Sequence, residues 1–107
     1  MYSPSGAGPR RTVLDGIDMT PLAWGAKTIL VRFDLQAGSA IPSHHHPHEQ
    51  TGFLVSGRLR LTIGAETVEA AAGASWSIPA DVPHAAEALE PCVAVEVFTP
   101  VREDYLP

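Results

Sequence analysis

Four of the five histidines in this chain lie between positions 44 and 48, and the fifth is His84. Imidazole is the commonest side-chain ligand for transition metals, so this distribution indicates a metal site. His44 and His46 are two residues apart, and side chains at that spacing in a strand point to the same face. His84 can supply a third ligand if the fold returns it to this pair. The sequence therefore predicts a metal site assembled from two separated segments.

A fourth protein ligand is predicted just after the histidine cluster. Pro47 has no N–H to donate to a neighbouring strand, so the chain can bend there and bring Gln50 or Glu49 over the same pocket. Gln50 offers a carbonyl oxygen without charge, so three imidazoles and one amide leave the charge of the metal uncompensated. Such a site is a strong Lewis acid and attracts an anionic substrate. His45 has the opposite strand parity and is expected at the surface, and His48 at the rim.

The expected cofactor is one divalent transition metal, and Mn, Fe, Ni, Zn and Cu all suit ligands of this kind. The sequence does not choose among them, because metal selection follows availability as much as ligand type. The competing interpretation of the histidine cluster is a polar surface loop that binds metal only loosely.

A carboxylate interrupts the apolar run near the end of the chain. By strand alternation Glu96 shares a face with Ala94 and Phe98, opposite Val95 and Val97. A buried carboxylate needs a partner or a chemical task, so an inward face would make Glu96 a candidate general acid or base. An outward face would leave it solvated, and the alternation of this strand does not choose between the two.

The elements that must position these residues are predicted to be strands. The chain has 9 glycines and 10 prolines, helix signals are nearly absent, and the segments between turns are short and alternate in hydropathy. That pattern is typical of an all-β sandwich or barrel. Residues 85–89 favour helix by composition, but their position between strands favours extended structure. The predicted strands are residues 28–35, 53–55, 58–63, 67–71, 75–78 and 93–98.

Length and charge limit the possible functions. With 107 residues, the chain is expected to form one domain over residues 12–107 after a flexible tail at residues 1–11. The net charge of −5 argues against nucleic acid as a partner, and no apolar run approaches a membrane span. No secretory signal is recognisable, so a cytoplasmic location is expected. Cys92 is the only cysteine and is expected to be a buried, inert thiol.

Two spaced motifs resemble those of the cupins. The first has the family spacing throughout, and the second follows it in the family order. The first motif is Gly38, His44, His46, Gln50 and Gly57, and the second is Gly73, Pro79, Asp81, His84 and Ala88. The resemblance covers residues 25–100 and implies a small antiparallel β-barrel of the jelly-roll type, also called a double-stranded β-helix. Because single-domain cupins usually pair and the core is modest, a homodimer is expected.

Three positions depart from the cupin pattern. Gln50 stands where many cupins have glutamate, and Ala88 replaces an asparagine that is not usually a ligand. Asp81 replaces a glycine, which brings the local turn into question.

The end of the chain is similar to that of the KdgF-type cupins, which linearise unsaturated uronates during pectin and alginate breakdown. The matching positions are Glu96, Phe98, Pro100, Arg102, Asp104 and Tyr105. The KdgF-type cupins also share the sequence His-x-His-Pro-His-Glu-Gln around the first motif. The family acid is commonly aspartate, so Glu96 is one methylene longer. This change affects the geometry of proton transfer.

This resemblance implies a set of roles at the site. Glu96 would transfer protons, Arg102 would clamp a substrate carboxylate through two parallel hydrogen bonds, and Phe98 would wall the pocket. The competing interpretation of Arg102 is a surface ion pair with Glu103 or Asp104.

These features predict a metal-dependent enzyme that acts on a small anionic substrate. The most specific version of this hypothesis is the linearisation of an unsaturated uronate. One alternative is a metal-dependent oxygenase. Gln50 disfavours it, because losing a carboxylate ligand raises the reduction potential of the metal. The other alternative is a module that captures a small ligand without converting it.

Overall fold

The computed structural model describes residues 1–107 and consists of two antiparallel sheets that enclose a common interior. The six-stranded sheet has the order β1-β2-β3-β10-β5-β8, and the four-stranded sheet has the order β4-β9-β6-β7. The elements are β1 (Arg11–Leu14), β2 (Ile17–Trp24), β3 (Ile29–Leu35), β4 (Ala40–His44), β5 (Glu49–Ser56), β6 (Arg58–Ile63), β7 (Glu66–Ala71), β8 (Ser75–Ile78), β9 (His84–Ala88), β10 (Cys92–Thr99) and a short 3-10 helix (Glu103–Tyr105). The predicted all-β class and the jelly-roll barrel are confirmed.

The interior is built by strands that alternate between the two faces of each sheet. In β3 the side chains of Ile29, Val31, Phe33 and Leu35 point inward, as the sequence pattern predicted. The same alternation in β10 buries every second residue from Cys92 onward. Both sheets contribute to one apolar cluster, so their inner faces pack together.

Strands β2 and β4 were not predicted, and each of them contains a proline. Pro21 lies inside β2 and Pro42 inside β4, and proline normally demotes a run to an edge or to no strand at all. Both strands accommodate the proline near an irregularity in pairing, between Pro21 and Ala23 and between Ile41 and His44. The short edge strand β1 was also not predicted.

Strand β5 is longer than predicted, and the extension carries functional residues. It begins at Glu49 and places Gln50, Gly52 and Leu54 on its inner face, whereas the sequence pattern indicated only residues 53–55. The ambiguous segment at 85–89 is extended, because β9 pairs along its length with β6. Tertiary pairing therefore overrides the helical preference of its alanines.

The two ends of the chain meet beside the barrel. Arg11, where the expected tail would end, is the first residue of β1, and its guanidinium donates hydrogen bonds to the backbone carbonyls of Asp104 and Leu106. Arg10 pairs with Asp18 on β2 at 2.8 Å. The hydrogen bonds of Arg11 hold the C-terminal segment against the six-stranded sheet. No helix is long and apolar enough to cross a membrane.

Candidate metal centre and its cavity

The structure brings His44, His46 and His84 together. One ligand atom from each lies within 4.8 Å of the others. His44 ends β4 and lies opposite His84, the first residue of β9, in the pairing of the two strands. The ring centroids of this pair are 4.2 Å apart, and those of His46 and His84 are 4.9 Å apart. The three imidazoles therefore form a cluster that could hold a metal ion.

The route by which the cluster forms differs from the sequence prediction. His44 and His46 do not share a strand face, because β4 ends at His44 and His46 lies in the loop before β5. The loop is held by a hydrogen bond from the Asp81 N–H to the carbonyl of His46, at 2.8 Å. Asp81 has φ 64°, the left-handed conformation that favours glycine, and aspartate is among the residues that tolerate it. The turn of the second motif is therefore kept despite the substitution.

Each of the three imidazoles is oriented by a backbone carbonyl two residues away. In all three rings the bonded atom is Nδ1, at 2.8–3.0 Å from its acceptor. The acceptors are the carbonyls of Pro42, His48 and Val82. A proton on Nδ1 leaves the lone pair of Nε2 free, which is the arrangement that second-shell carbonyls impose on metal-binding histidines.

The atoms left free by this arrangement fit a cation. Nε2 of His84 is buried and has no hydrogen-bond partner. Nε2 of His46 lies 3.1 Å from Oε1 of Gln50, although with Nδ1 protonated both atoms are acceptors. A cation between these two atoms would resolve the conflict. The donor set of neutral imidazoles fits a divalent transition metal.

Burial favours the neutral form of two of the imidazoles, those of His46 and His84. It is the main cause of the lowered pKa of His46 and of His84, and the positive charge of Arg102 lowers both further. A neutral imidazole is the form that binds a metal, so these two side chains can bind one at lower pH than ordinary histidines.

Gln50 connects the histidine cluster to the buried carboxylate. Its Nε2 donates a hydrogen bond to Oε2 of Glu96, which leaves Oε1 facing His46. The two residues are neighbours on adjacent strands, since Gln50 pairs with Phe98 and Gly52 pairs with Glu96. Glu49, the alternative to Gln50 in the sequence, is exposed.

Glu96 points into the barrel, the alternative that strand alternation had left open. It is 9% exposed, and its pKa is raised to about 7, chiefly because burial penalises the charged form. The bond from Gln50, the indole N–H of Trp76 and the charge of Arg102 oppose that rise. The Trp76 N–H faces this carboxylate but does not form a hydrogen bond of ordinary geometry with it. Glu96 can therefore exist in both protonation states near neutral pH.

Arg102 forms the ion pair with Asp104 that the sequence allowed, and it also lines the cavity. Its guanidinium lies over the ring of Tyr105, at 3.9 Å from the centroid, and lines the cavity. Nε and Nη2 also donate to the carboxylate of Asp104, at 3.3 and 2.8 Å. Asp104 thus occupies one edge of the guanidinium, and only the other edge is free for a ligand. The ring of Phe98 lies 5.4 Å from that of Tyr105 on one side and 5.9 Å from that of His46 on the other.

A cavity of about 650 Å³ joins these residues. Most of its lining residues are apolar and the rest are polar or charged, a mixture that is usual for small-molecule sites. The polar lining includes His44, His84, Gln50, Glu96 and Arg102. Trp76 also lines the cavity, although the sequence analysis placed it only on a strand face with Ile78. Nothing in its local sequence distinguishes it from a core residue.

Comparisons with known proteins agree with this arrangement. Residues 31–98 match the family described as the cupin domain. A protein of Streptomyces coelicolor called "Uncharacterized protein SCO3923" is 36% identical over 52 residues, which are 49% of this chain and 50% of that protein. The chain thus spans about half the length of this curated relative.

Two solved structures share the architecture over nearly the whole chain. KdgF from Halomonas sp. superposes with a TM-score of 0.87 and 27% identity, covering 92% of this chain and 91% of that one. An RmlC-like cupin from Shewanella frigidimarina superposes with a TM-score of 0.90 and 21% identity, covering 97% of each. The second likeness shows the fold alone.

Proposed function

This chain belongs to the cupin family, and from that premise and its cavity we propose that it is a metal-dependent enzyme acting on a small anionic substrate. In its sharpest form, the reaction is the ring opening of a 4,5-unsaturated uronate. One observation carries the proposal: the Gln50 amide that turns its oxygen to the histidines also donates to Glu96. A metal site and a proton-transfer group therefore flank the same cavity.

The metal would be held by His44, His46 and His84, with Oε1 of Gln50 as the fourth ligand. A bound divalent metal supplies Lewis acidity and positive charge for the oxygens of a sugar. None of the four side chains carries a negative charge, so the site favours an anionic ligand.

The reaction proposed is an isomerisation that consumes no other reactant. A proton leaves the anomeric hydroxyl, and the bond between C1 and the ring oxygen breaks to give an aldehyde. The freed oxygen on C5 becomes a ketone as the double bond takes up a proton at C4. Glu96, with a pKa of about 7, can accept the first proton and return one at C4.

The remaining residues bind and shield the substrate. The free edge of Arg102 offers two N–H groups to the uronate carboxylate, while Asp104 holds the other edge in place. Phe98, 1% exposed, walls the inner end and excludes water from the proton-transfer step.

The likeness to KdgF supports this form of the proposal. The chain is similar in both fold and sequence to KdgF from Halomonas sp., and the terminal motif from Glu96 to Tyr105 resembles that of the KdgF type. In this chain the motif places Glu96, Phe98 and Arg102 on one cavity.

The test is conversion of a 4,5-unsaturated galacturonate by protein loaded in turn with Mn, Fe, Ni, Zn and Cu. We expect loaded protein to speed the loss of the ultraviolet absorbance of the conjugated acid, and chelated protein to lose that effect. The variant His45→Ala is a matched control, because His45 is exposed and outside the cluster. If every loaded form leaves the absorbance decay at its uncatalysed rate, the uronate reaction is wrong.

The expected homodimer stays a prediction, which sedimentation equilibrium checks.

A further inference from the structure

Trp76, Gly52 and Glu96 form a row across three neighbouring strands. Trp76 on β8 pairs with Gly52 on β5, and Gly52 pairs with Glu96 on β10. All three residues lie on the side of the sheet that faces the interior, and Trp76 and Glu96 both line the cavity. A large aromatic side chain and the buried acid are thus separated only by a residue that has no side chain.

The glycine determines where the indole lies. A Cβ atom added at Gly52 would overlap with Cε2 and Nε1 of the Trp76 ring. The pyrrole edge of the indole therefore lies directly on the backbone of β5, in the space that a side chain at position 52 would fill. The N–H of Trp76 therefore lies over β5, the strand that carries Gln50 and that pairs with the strand of Glu96.

The indole N–H faces the Glu96 carboxylate but makes no hydrogen bond of ordinary geometry in this position. Nε1 of Trp76 is buried and makes no hydrogen bond. A buried donor left unsatisfied is destabilising, and buried tryptophan N–H groups usually find an acceptor. The protein acceptor that it faces is the Glu96 carboxylate, but the geometry is not that of a hydrogen bond, so an oxygen of a ligand bound beside Glu96 can satisfy it.

We propose that the Trp76 N–H is a substrate-binding donor that contacts an oxygen of the substrate beside Glu96, and that Gly52 positions it there. The assignment rests on the proposed function, because the ligand expected is an oxygen-rich uronate. It adds a donor that is neither a metal ligand nor a proton-transfer group. A hydroxyl or carboxylate oxygen on the sugar would be its acceptor.

The direct test uses nitrogen-15 NMR on full-length protein loaded with diamagnetic zinc. The chain has two tryptophans, so two indole signals are expected, and Trp76→Phe assigns them. Titration with saturated D-galacturonate, which cannot undergo the reaction, should move the Trp76 indole proton downfield and leave that of Trp24 in place. A Trp76 signal that stays still while other signals report saturation overturns the assignment, as does the absence of any binding.

Kinetics with the unsaturated substrate provide a second test. Losing one hydrogen bond to a charged or oxygen-rich ligand should lower kcat/KM of Trp76→Phe by about 10- to 100-fold. Gly52→Ala keeps the indole but displaces it, so the kcat/KM of this variant should fall by a similar factor. Gly25→Ala is the matched control, because nothing lies within 4 Å of a Cβ at that position. Metal content should be unchanged in all three, which excludes general disruption of the site.

The outcomes separate this proposal from the function on which it rests. Unchanged kcat/KM in Trp76→Phe and Gly52→Ala overturns the donor role while the uronate reaction stands. Wild-type protein that fails to convert the uronate, but whose Trp76 signal moves with galacturonate, supports the donor and removes the reaction. If Trp76→Phe does not fold, the titration of the wild-type protein still decides, with Trp24→Phe assigning the signals.

Discussion

The two sheets contribute different groups to the cavity. The four-stranded sheet supplies His44 and His84 from the facing ends of β4 and β9. The six-stranded sheet supplies the buried acid Glu96 from β10, with Gln50 and Trp76 on the next two strands, β5 and β8. The histidine side is suited to holding a cation, and the acid side to moving protons and binding oxygens.

The two sides are also held in place by different means. Each histidine is oriented by a carbonyl two residues away, so its geometry depends on local backbone. Glu96 depends on the alignment of three strands that are distant in sequence. Gln50 is the contact between the two sides, through His46 and Glu96. Substitutions on one side should therefore leave the property of the other side measurable.

The largest effect is expected from removing a ligand. His84→Ala should abolish stoichiometric binding of zinc, because changes in the residues that merely orient ligands already cost about 10- to 100-fold in affinity. Elemental analysis and isothermal titration calorimetry would measure it. His45→Ala, the exposed neighbour, should bind metal as the wild type does. Full zinc occupancy in His84→Ala would show that the histidine cluster is not the metal site.

Replacing the buried acid should lower catalytic activity without loss of metal. Glu96→Gln keeps the size of the side chain and removes its ability to exchange a proton, so kcat for the uronate should fall by about 10²- to 10⁴-fold. Zinc content should stay at the wild-type value. Glu49→Gln makes the same change at an exposed position of β5 and should leave kcat unchanged. A parallel loss of zinc in Glu96→Gln would mean that the two sides are not separable.

Sequence reasoning reached the histidine side more completely than the acid side. The three histidines were found because motif spacing is local, although the strand-face argument for His44 and His46 was wrong. Alternation grouped Glu96 with Phe98, but only the packing of the sheets decides which face is buried. The Asp104 contact and the stacking on Tyr105 come from the turn after β10, which no periodicity describes.

Trp76 and Gly52 show why the rest was out of reach. They are 24 positions apart, and their contact depends on the pairing register of β5 with β8. That register cannot be deduced when β5 itself is predicted to begin at residue 53. A glycine that accommodates a neighbouring indole has the same sequence signature as any other glycine in a strand.

The raised pKa of Glu96 predicts a specific dependence of stability on pH. In metal-free protein this carboxyl is neutral when folded up to about pH 7, but ionises near 4.5 when unfolded. Its contribution therefore destabilises the fold increasingly as pH rises from about 4.5 to 7, and by about 3 kcal/mol above that range. Glu96→Gln has no such titration.

The measurement is the difference in free energy of unfolding between Glu96→Gln and wild type, from denaturant titrations at several pH values. We expect this difference to grow in favour of the variant from pH 4.5 to 7 and then to level off. Comparing the two proteins cancels the contributions of His46 and His84, whose lowered pKa values act in both. A difference that is constant with pH would indicate that the carboxyl ionises inside the barrel as it does in water.

The smallest effect is expected at the rim, where Asp104 pairs with Arg102. The Asp104 side chain is 59% exposed, so Asp104→Asn should change the free energy of unfolding by less than about 1 kcal/mol. It should still lower KM for the anionic uronate modestly, because Arg102 loses a neutralising carboxylate. Asp34→Asn is a matched control. Asp34 accepts from Nε and Nη2 of Arg32, also two residues away in sequence, but this pair does not line the cavity. An equal change of KM in both variants would mean that Arg102 affects KM only through the overall charge of the protein. The residues of the acid side that contact substrate would then extend no further than Phe98.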